Sequence, residues 1–192
     1  MVELAQAAEV SLGWVSAVRQ QLLASDWAAE QRGGGLLVTN PEAILDAWAK
    51  SDDWEKRNIT KHYSVVAQAE PFLQARKLDS ILGNARPAFT QWVAASLRHP
   101  HTTSTIVTAY VPAFPSKGLI ENHFLAREVD EGGNLRLVVP KDEGVFHPAQ
   151  EINGVRLVSD VQIYLDLLGA GQRGDEQAAE LRKWPDFAGG WK

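Results

Sequence analysis

Ser11-Leu12-Gly13-Trp14-Val15-Ser16-Ala17-Val18-Arg19-Gln20-Gln21-Leu22 places apolar residues at Leu12, Val15, Val18 and Leu22. That spacing lines one face of a helix, and Ser11 stands where an N-cap belongs. The helix is expected to close near Ser25-Asp26. Before it, the Ala-rich Leu4 to Glu9 reads as a short helix. After it, Trp27 to Thr39 has room for a two-stranded hairpin, with Gly33-Gly34-Gly35 in the turn and Leu36-Leu37-Val38 on the return strand. Asn40-Pro41-Glu42 supplies a cap, a proline for the first helical position and an acid for the first turn. The helix that follows, Glu42 to Lys50, sets Ile44, Leu45 and Trp48 on one side. Helix, turn, helix, hairpin, helix is the order of a winged helix-turn-helix module.

A helix that reads duplex DNA turns polar side chains away from its core stripe. With the core centred on Val15, the outer face holds Gly13, Ser16, Ala17, Gln20 and Gln21. Arg19 falls about 40° from the core centre, so its stem should run along the core edge. Gln20 has the two-donor, two-acceptor amide that pairs with adenine, and Ser11, Ser16 and the helix start suit a phosphate. Arg32, beside three glycines, suits a wing tip in a minor groove. Trp14 sits half-exposed on this helix, where packing weighs more than base contact. The candidate DNA-contacting set is therefore Ser11, Gly13, Trp14, Ser16, Ala17, Arg19, Gln20 and Arg32. Against it stands the charge of residues 1–50, three bases (Arg19, Arg32, Lys50) and six acids (Glu3, Glu9, Asp26, Glu30, Glu42, Asp46). Phosphate binding depends on Lys and Arg displacing counterions. The rival reading is a protein-interaction module that keeps the winged fold without the DNA contacts.

The whole chain of 192 residues has a formal net charge of -5, 45% hydrophobic residues and no cysteine. Such a composition is globular rather than disordered, and it excludes a disulfide framework, a thiolate metal site and a cysteine nucleophile. No apolar run approaches the ~20 residues of a membrane span, and the first residues lack the pattern of a signal peptide. A cytoplasmic protein without membrane partners is the expectation.

The charged stretch Ser51 to Lys61 is the best boundary or linker candidate, with solvating charge at Asp52-Asp53 if it is a linker, and divides the chain into 1–50 and 51–192. Beyond it, helices are expected at Pro71 to Leu82, Ala88 to Arg98, Ser159 to Leu168 and Asp175 to Trp184, with a turn from Gly169 to Gly174. Strands are expected at Thr103 to Val111 and Leu135 to Val139. The fold class is thus α+β, a winged helix-turn-helix followed by a mixed α/β domain.

Chemistry-bearing motifs are sparse. There is neither a Gly-Ser pair nor an Asp-x-Asp, the residues that seat a triphosphate and its metals in a nucleotidyltransferase. Asp160 and Asp166 lie about 120° apart on one helix, too divergent for a shared metal. Asp160 reads as a dipole-favouring acid at the helix start and Asp166 as a residue bonding within its own domain. His99 and His101 lack a third ligand; His62, His123 and His147 are isolated. No enzyme, cofactor or metal site is expected. Arg76, Lys77, Arg86 and Arg98, against the single acid Asp79, form the one basic neighbourhood.

Ala8 to Ser16 resembles the helix-turn-helix of transcriptional regulators with an AbiEi-type antitoxin domain, from type IV toxin–antitoxin systems. Leu37 to Trp48 is similar to the segment after the wing in that family. Val155 to Leu167 resembles its C-terminal signature, and Arg173 to Ala179 the charged helix start that follows. The resemblance implies a DNA-binding regulator that represses its own operon and counters a nucleotidyltransferase-like toxin encoded beside it. It also implies a second domain related in fold to nucleotidyltransferases but without their activity. Two departures stand out. Members usually carry basic residues where this chain has Ala17 and Gln20, and a further helix before the segment aligned with Met1. A module begun inside its first helix should leave Val15 and Leu22 short of packing partners, to be covered by a partner subunit, as in a homodimer, or by the second domain.

Overall fold

The computed structural model describes residues 1–66, 70–171 and 173–191. It divides into two compact units, Met1–Ser51 and Asp52–Lys192.

The first unit runs α1 (Val2–Ala7), α2 (Leu12–Ala24), β1 (Ala28–Glu30), β2 (Leu36–Val38) and α3 (Pro41–Ser51). Ser11 caps α2, its Oγ accepting from the Trp14 N–H at 3.1 Å. Asn40 does the same for α3, accepting from the Ala43 N–H at 3.1 Å, with Pro41 in the first position. β1 and β2 pair antiparallel from Ala28↔Val38 to Glu30↔Leu36. Gly33 and Gly34 take φ of 104° and 90°, values that L side chains avoid, which is why glycines turn this hairpin. The core is thin. Ala5, Ala28 and Leu45 are its buried apolar residues, and α2 buries none. Val15, Val18 and Leu22 are half-buried.

The second unit contains α4 (Trp54–Arg57), β3 (Asn58–Val65), α5 (Pro71–Leu82), β4 (Ala88–Thr90), α6 (Gln91–Arg98), β5 (Val107–Tyr110) and α7 (Lys117–Phe124). Then come β6 (Ala126–Val129), β7 (Leu135–Pro140), β8 (Gln150–Ile152), β9 (Val155–Leu157), α8 (Asp160–Leu168) and α9 (Gly174–Lys183). Seven strands form one mixed sheet in the order β6-β3-β7-β5-β4-β9-β8. β5 runs parallel to β7, and β4 to β9; the other neighbours are antiparallel.

The register sorts the sheet into two faces, because residues paired across strands share a side. One carries Tyr63, Leu135, Leu137, Val107, Ala109, Phe89 and Leu157, all fully buried. α5 and α7 belong to this core, tied where the Lys77 ammonium donates to the His123 carbonyl and sits 4.7 Å from the Phe124 ring centre. The opposite face carries Asn58, Thr60, His62, Arg136, Val138, Thr108, Tyr110 and Thr90, and is far more polar. α6 and α8 pack at its β4–β5 end.

Several sequence expectations are corrected. Of the boundary-or-linker reading of Ser51 to Lys61, the boundary stands, since the units divide between Ser51 and Asp52, but the stretch is no linker, because α4 and β3 begin the second unit there. Asp53 caps α4 through the Lys56 N–H at 3.1 Å, and Asp52 is tied to Arg57 rather than solvated. The segment expected as a helix from Ala88 opens as a strand, and only Gln91–Arg98 is helical. The strand expected from Thr103 begins at Val107. Part of the Gly169 to Gly174 turn lies outside the described residues. Among those described, no helix is long and apolar enough to cross a membrane.

Candidate nucleic-acid interface

On α2, Gly13, Ala17, Gln20 and Gln21 are exposed, Ser16 is half-buried, and Trp14 is 62% exposed. The outer face derived from helical geometry is therefore open to a ligand. Gln21 donates to Ser25 Oγ at 3.1 Å, while among the described residues nothing bonds the Gln20 amide. Ser11 Oγ accepts its capping bond, which leaves the O–H free to donate outward. Arg19 behaves differently from the rest of the set. Its guanidinium pairs with Glu30 on β1, so its charge is largely neutralised within the unit. Arg32 is exposed in the hairpin loop, between Gln31 and the two positive-φ glycines. The structure thus brings Ser11, Gly13, Trp14, Ser16, Ala17 and Gln20 together on one helix, and places Arg32 on the adjoining hairpin.

The second unit buries two carboxylates, Asp160 and Asp166. Asp166 is fully buried on α8 and receives Arg57 Nη2 at 2.7 Å, Gln162 Nε2 at 2.7 Å, the Tyr110 hydroxyl at 3.2 Å and the Thr90 hydroxyl. Arg57 also grips Asp52 with two bonds, Nε to Oδ1 at 2.7 Å and Nη2 to Oδ2 at 3.0 Å. Burial pushes the Asp166 carboxyl up, while Arg57, Thr90 and Gln162 oppose that shift. Burial likewise works against the Arg57 charge, but its bonds to Asp52 and the charge on Asp166 outweigh it and raise its pKa. Tyr110 is raised by burial and by Asp166, so its hydroxyl stays protonated and donates.

A second buried carboxylate repeats the pattern. Asp160 takes Arg98 Nε at 2.8 Å and Nη2 at 3.0 Å, with Gln150 Nε2 at 2.8 Å and the Ala188 N–H at 3.1 Å. The Arg98 guanidinium lies 4.4 Å from the Trp184 ring centre. Asp160 is thus more than a dipole-favouring acid. The basic neighbourhood Arg76 to Arg98 is accordingly dispersed, with Arg98 in this ion pair and Lys77 on the His123 carbonyl. Arg76 and Arg86 remain exposed. His99 stacks on Trp184 and His101 meets Glu176 at 3.1 Å, so these two histidines serve separate contacts. Among the described residues no three His, Asp or Glu side chains gather as a metal site.

Sequence reasoning missed the network residues Arg57 and Tyr110. The linker reading concealed Arg57, although Asp52 five residues ahead of it was a visible partner. Residues 37–184 match the family model described as transcriptional regulator, AbiEi antitoxin, type IV toxin–antitoxin system. The chain belongs to this AbiEi antitoxin family. The match spans most of the second unit but, in the first, only β2 and α3. The α2 face therefore stands on its own geometry. Neither the curated proteins nor the solved structures yield a match.

Proposed function

We propose that this AbiEi-family chain is a DNA-binding repressor of its own operon, and that its first unit is a winged helix-turn-helix. In this reading α2 enters the major groove, with Gln20 on a base edge, Ser11 and Ser16 on phosphates, and Gly13 and Ala17 allowing close approach. Trp14 and the Arg19 stem flank that contact, and Arg32 reaches from the hairpin into a minor groove. The observation that supports it best is the exposed, unbonded Gln20 amide on the uncluttered outward face of a capped helix. The second unit is a nucleotidyltransferase-like domain without transfer activity, whose partner is a nucleotidyltransferase-like toxin. Its non-catalytic role is supported by Asp52, Asp160 and Asp166, each held by an arginine.

The test is a mobility-shift titration with DNA from upstream of the gene, at low salt. A discrete shifted band supports the reading. Its absence, together with stable capture of a protein partner by the first unit, would establish the interaction-module rival. That rival is favoured by one observation, the exposure of Leu4, Leu12, Trp14 and Trp48 on this unit.

A further inference from the structure

Leu135-Arg136-Leu137-Val138 alternates an arginine into an otherwise apolar strand, so Arg136 belongs to the polar side of the sheet. The register sets it directly between His62 on β3 and Thr108 on β5. Directly opposed residues of an antiparallel pair, as His62 and Arg136 are, have Cβ atoms about 4.5–5.5 Å apart. Arg136 is half-buried, and its Nε is shielded from solvent without a hydrogen-bond partner. Among the described residues no carboxylate, carbonyl or ring is paired with its guanidinium. It differs in this from Arg57 and Arg98, whose part-buried guanidiniums each grip aspartate. Burial alone depresses its pKa, with no acidic group opposing the shift.

A desolvated cation without a counter-charge is costly, and a native fold tolerates one where an anion completes it. The surroundings supply further donors. His62 Nδ1–H donates to the Gly132 carbonyl at 2.9 Å, so its Nε2 carries a second donor hydrogen when the ring is an imidazolium. Ser64 and Arg127, paired across β3 and β6 on the same face, are exposed. Thr108 is occupied, its hydroxyl donating to Gln91 at 2.8 Å.

We propose that the polar sheet face at Arg136 is a binding site for a phosphate-class oxyanion, free or as part of a phosphate ester. Arg136 is the anchor, the His62 imidazolium a second ligand through Nε2–H, and Arg127 a flanking positive charge. The planar fork of an arginine matches two oxygens of such an anion, and a tetrahedral group leaves others for the imidazolium and Ser64. This site is separate from the α2 face and does not depend on that face binding DNA.

The experiment titrates the full chain with inorganic phosphate against sodium chloride of equal ionic strength, following the Arg136 Nε–Hε NMR signal and the thermal midpoint. A saturable shift of that signal and a rise in midpoint with phosphate alone are expected. Arg136→Gln should weaken phosphate binding about tenfold or more, the scale of losing a charge-assisted bidentate contact. Arg136→Lys keeps the charge without the fork and should fall between the two. Arg86→Gln, at an exposed arginine elsewhere, should bind like wild type. Arg136→Gln should fold, since it removes a desolvated charge. Repeating the titration with a mononucleotide and with duplex DNA separates the sources. Displacement of phosphate by the nucleotide alone indicates a small ester, and displacement by the duplex indicates nucleic-acid backbone. An effect of phosphate no larger than chloride, or equal binding by Arg136→Gln, overturns the proposal.

Discussion

The two units use polar side chains in opposite ways. In Met1–Ser51 the core rests on Ala5, Ala28 and Leu45, while α2 presents Gln20, Ala17 and Gly13 outward. In the second unit two aspartates turn inward, Asp166 and Asp160, both buried beneath arginines. A carboxylate enclosed in this way is committed to architecture, because removing its partner strands a charge in a low-dielectric interior. An amide left on a helix surface contributes little to stability and is free to select a ligand. The lesson is that an accumulation of charge in a sequence can belong to the architecture, while the surface proposed for DNA is a nearly uncharged face.

The sharpest way to break this contrast is Asp166→Ala. It removes one of the two carboxylates that pair with Arg57 and orphans Thr90 and Gln162, so a loss of about 3–5 kcal/mol is expected in denaturant unfolding. A loss under about 1 kcal/mol would remove the architectural role of the network. Leu45→Ala probes the other unit. Leu45 is 2% exposed, and the thin shell around it can partly collapse, so about 2–3 kcal/mol is expected at the low end of the usual range. Hydrogen exchange should show the loss on α3.

Gln20→Ala sharpens the contrast from the functional side. Stability should change by less than about 0.5 kcal/mol, while discrimination at one base pair falls by about 1–3 kcal/mol. The smallest effect lies on the surface at Glu176, whose carboxyl Arg173 and His101 hold below the usual glutamate range. A depressed carboxylate contributes stability that is present above its unfolded value and fades as pH falls through the folded one. The stability difference between wild type and Glu176→Gln should therefore shrink on acidification from neutral pH.

Much of this was legible in local sequence. Ser11, Asn40 and Ser159 announced their helices because a side-chain cap depends only on neighbours two or three residues away. The Gly33-Gly34 turn and the α5 boundaries at Pro71 and Leu82 were readable for the same reason. The α2 outer face followed from helical geometry, with Ser16 less exposed than expected. What failed was non-local. β3 alternates through a charged run, and its identity as a strand comes from pairing with β6 and β7 more than sixty residues away. Arg57 was invisible as a network residue because Tyr110 and Asp166 reach it only after the sheet has formed. The basic count at Arg76 to Arg98 misled because Asp160, its neutralising partner at Arg98, lies sixty-two residues further on.

The most direct measurement is fluorescence anisotropy of the full chain with two duplexes, the upstream sequence of its own gene and a scrambled version, across a salt series. Arg19 is tied to Glu30 and Arg32 is exposed, so few phosphates are neutralised. The predicted result is tighter binding of the upstream duplex, with a shallow log–log salt slope of about −1 to −2. Equal affinity for both duplexes, or binding to neither at low salt, would contradict the account.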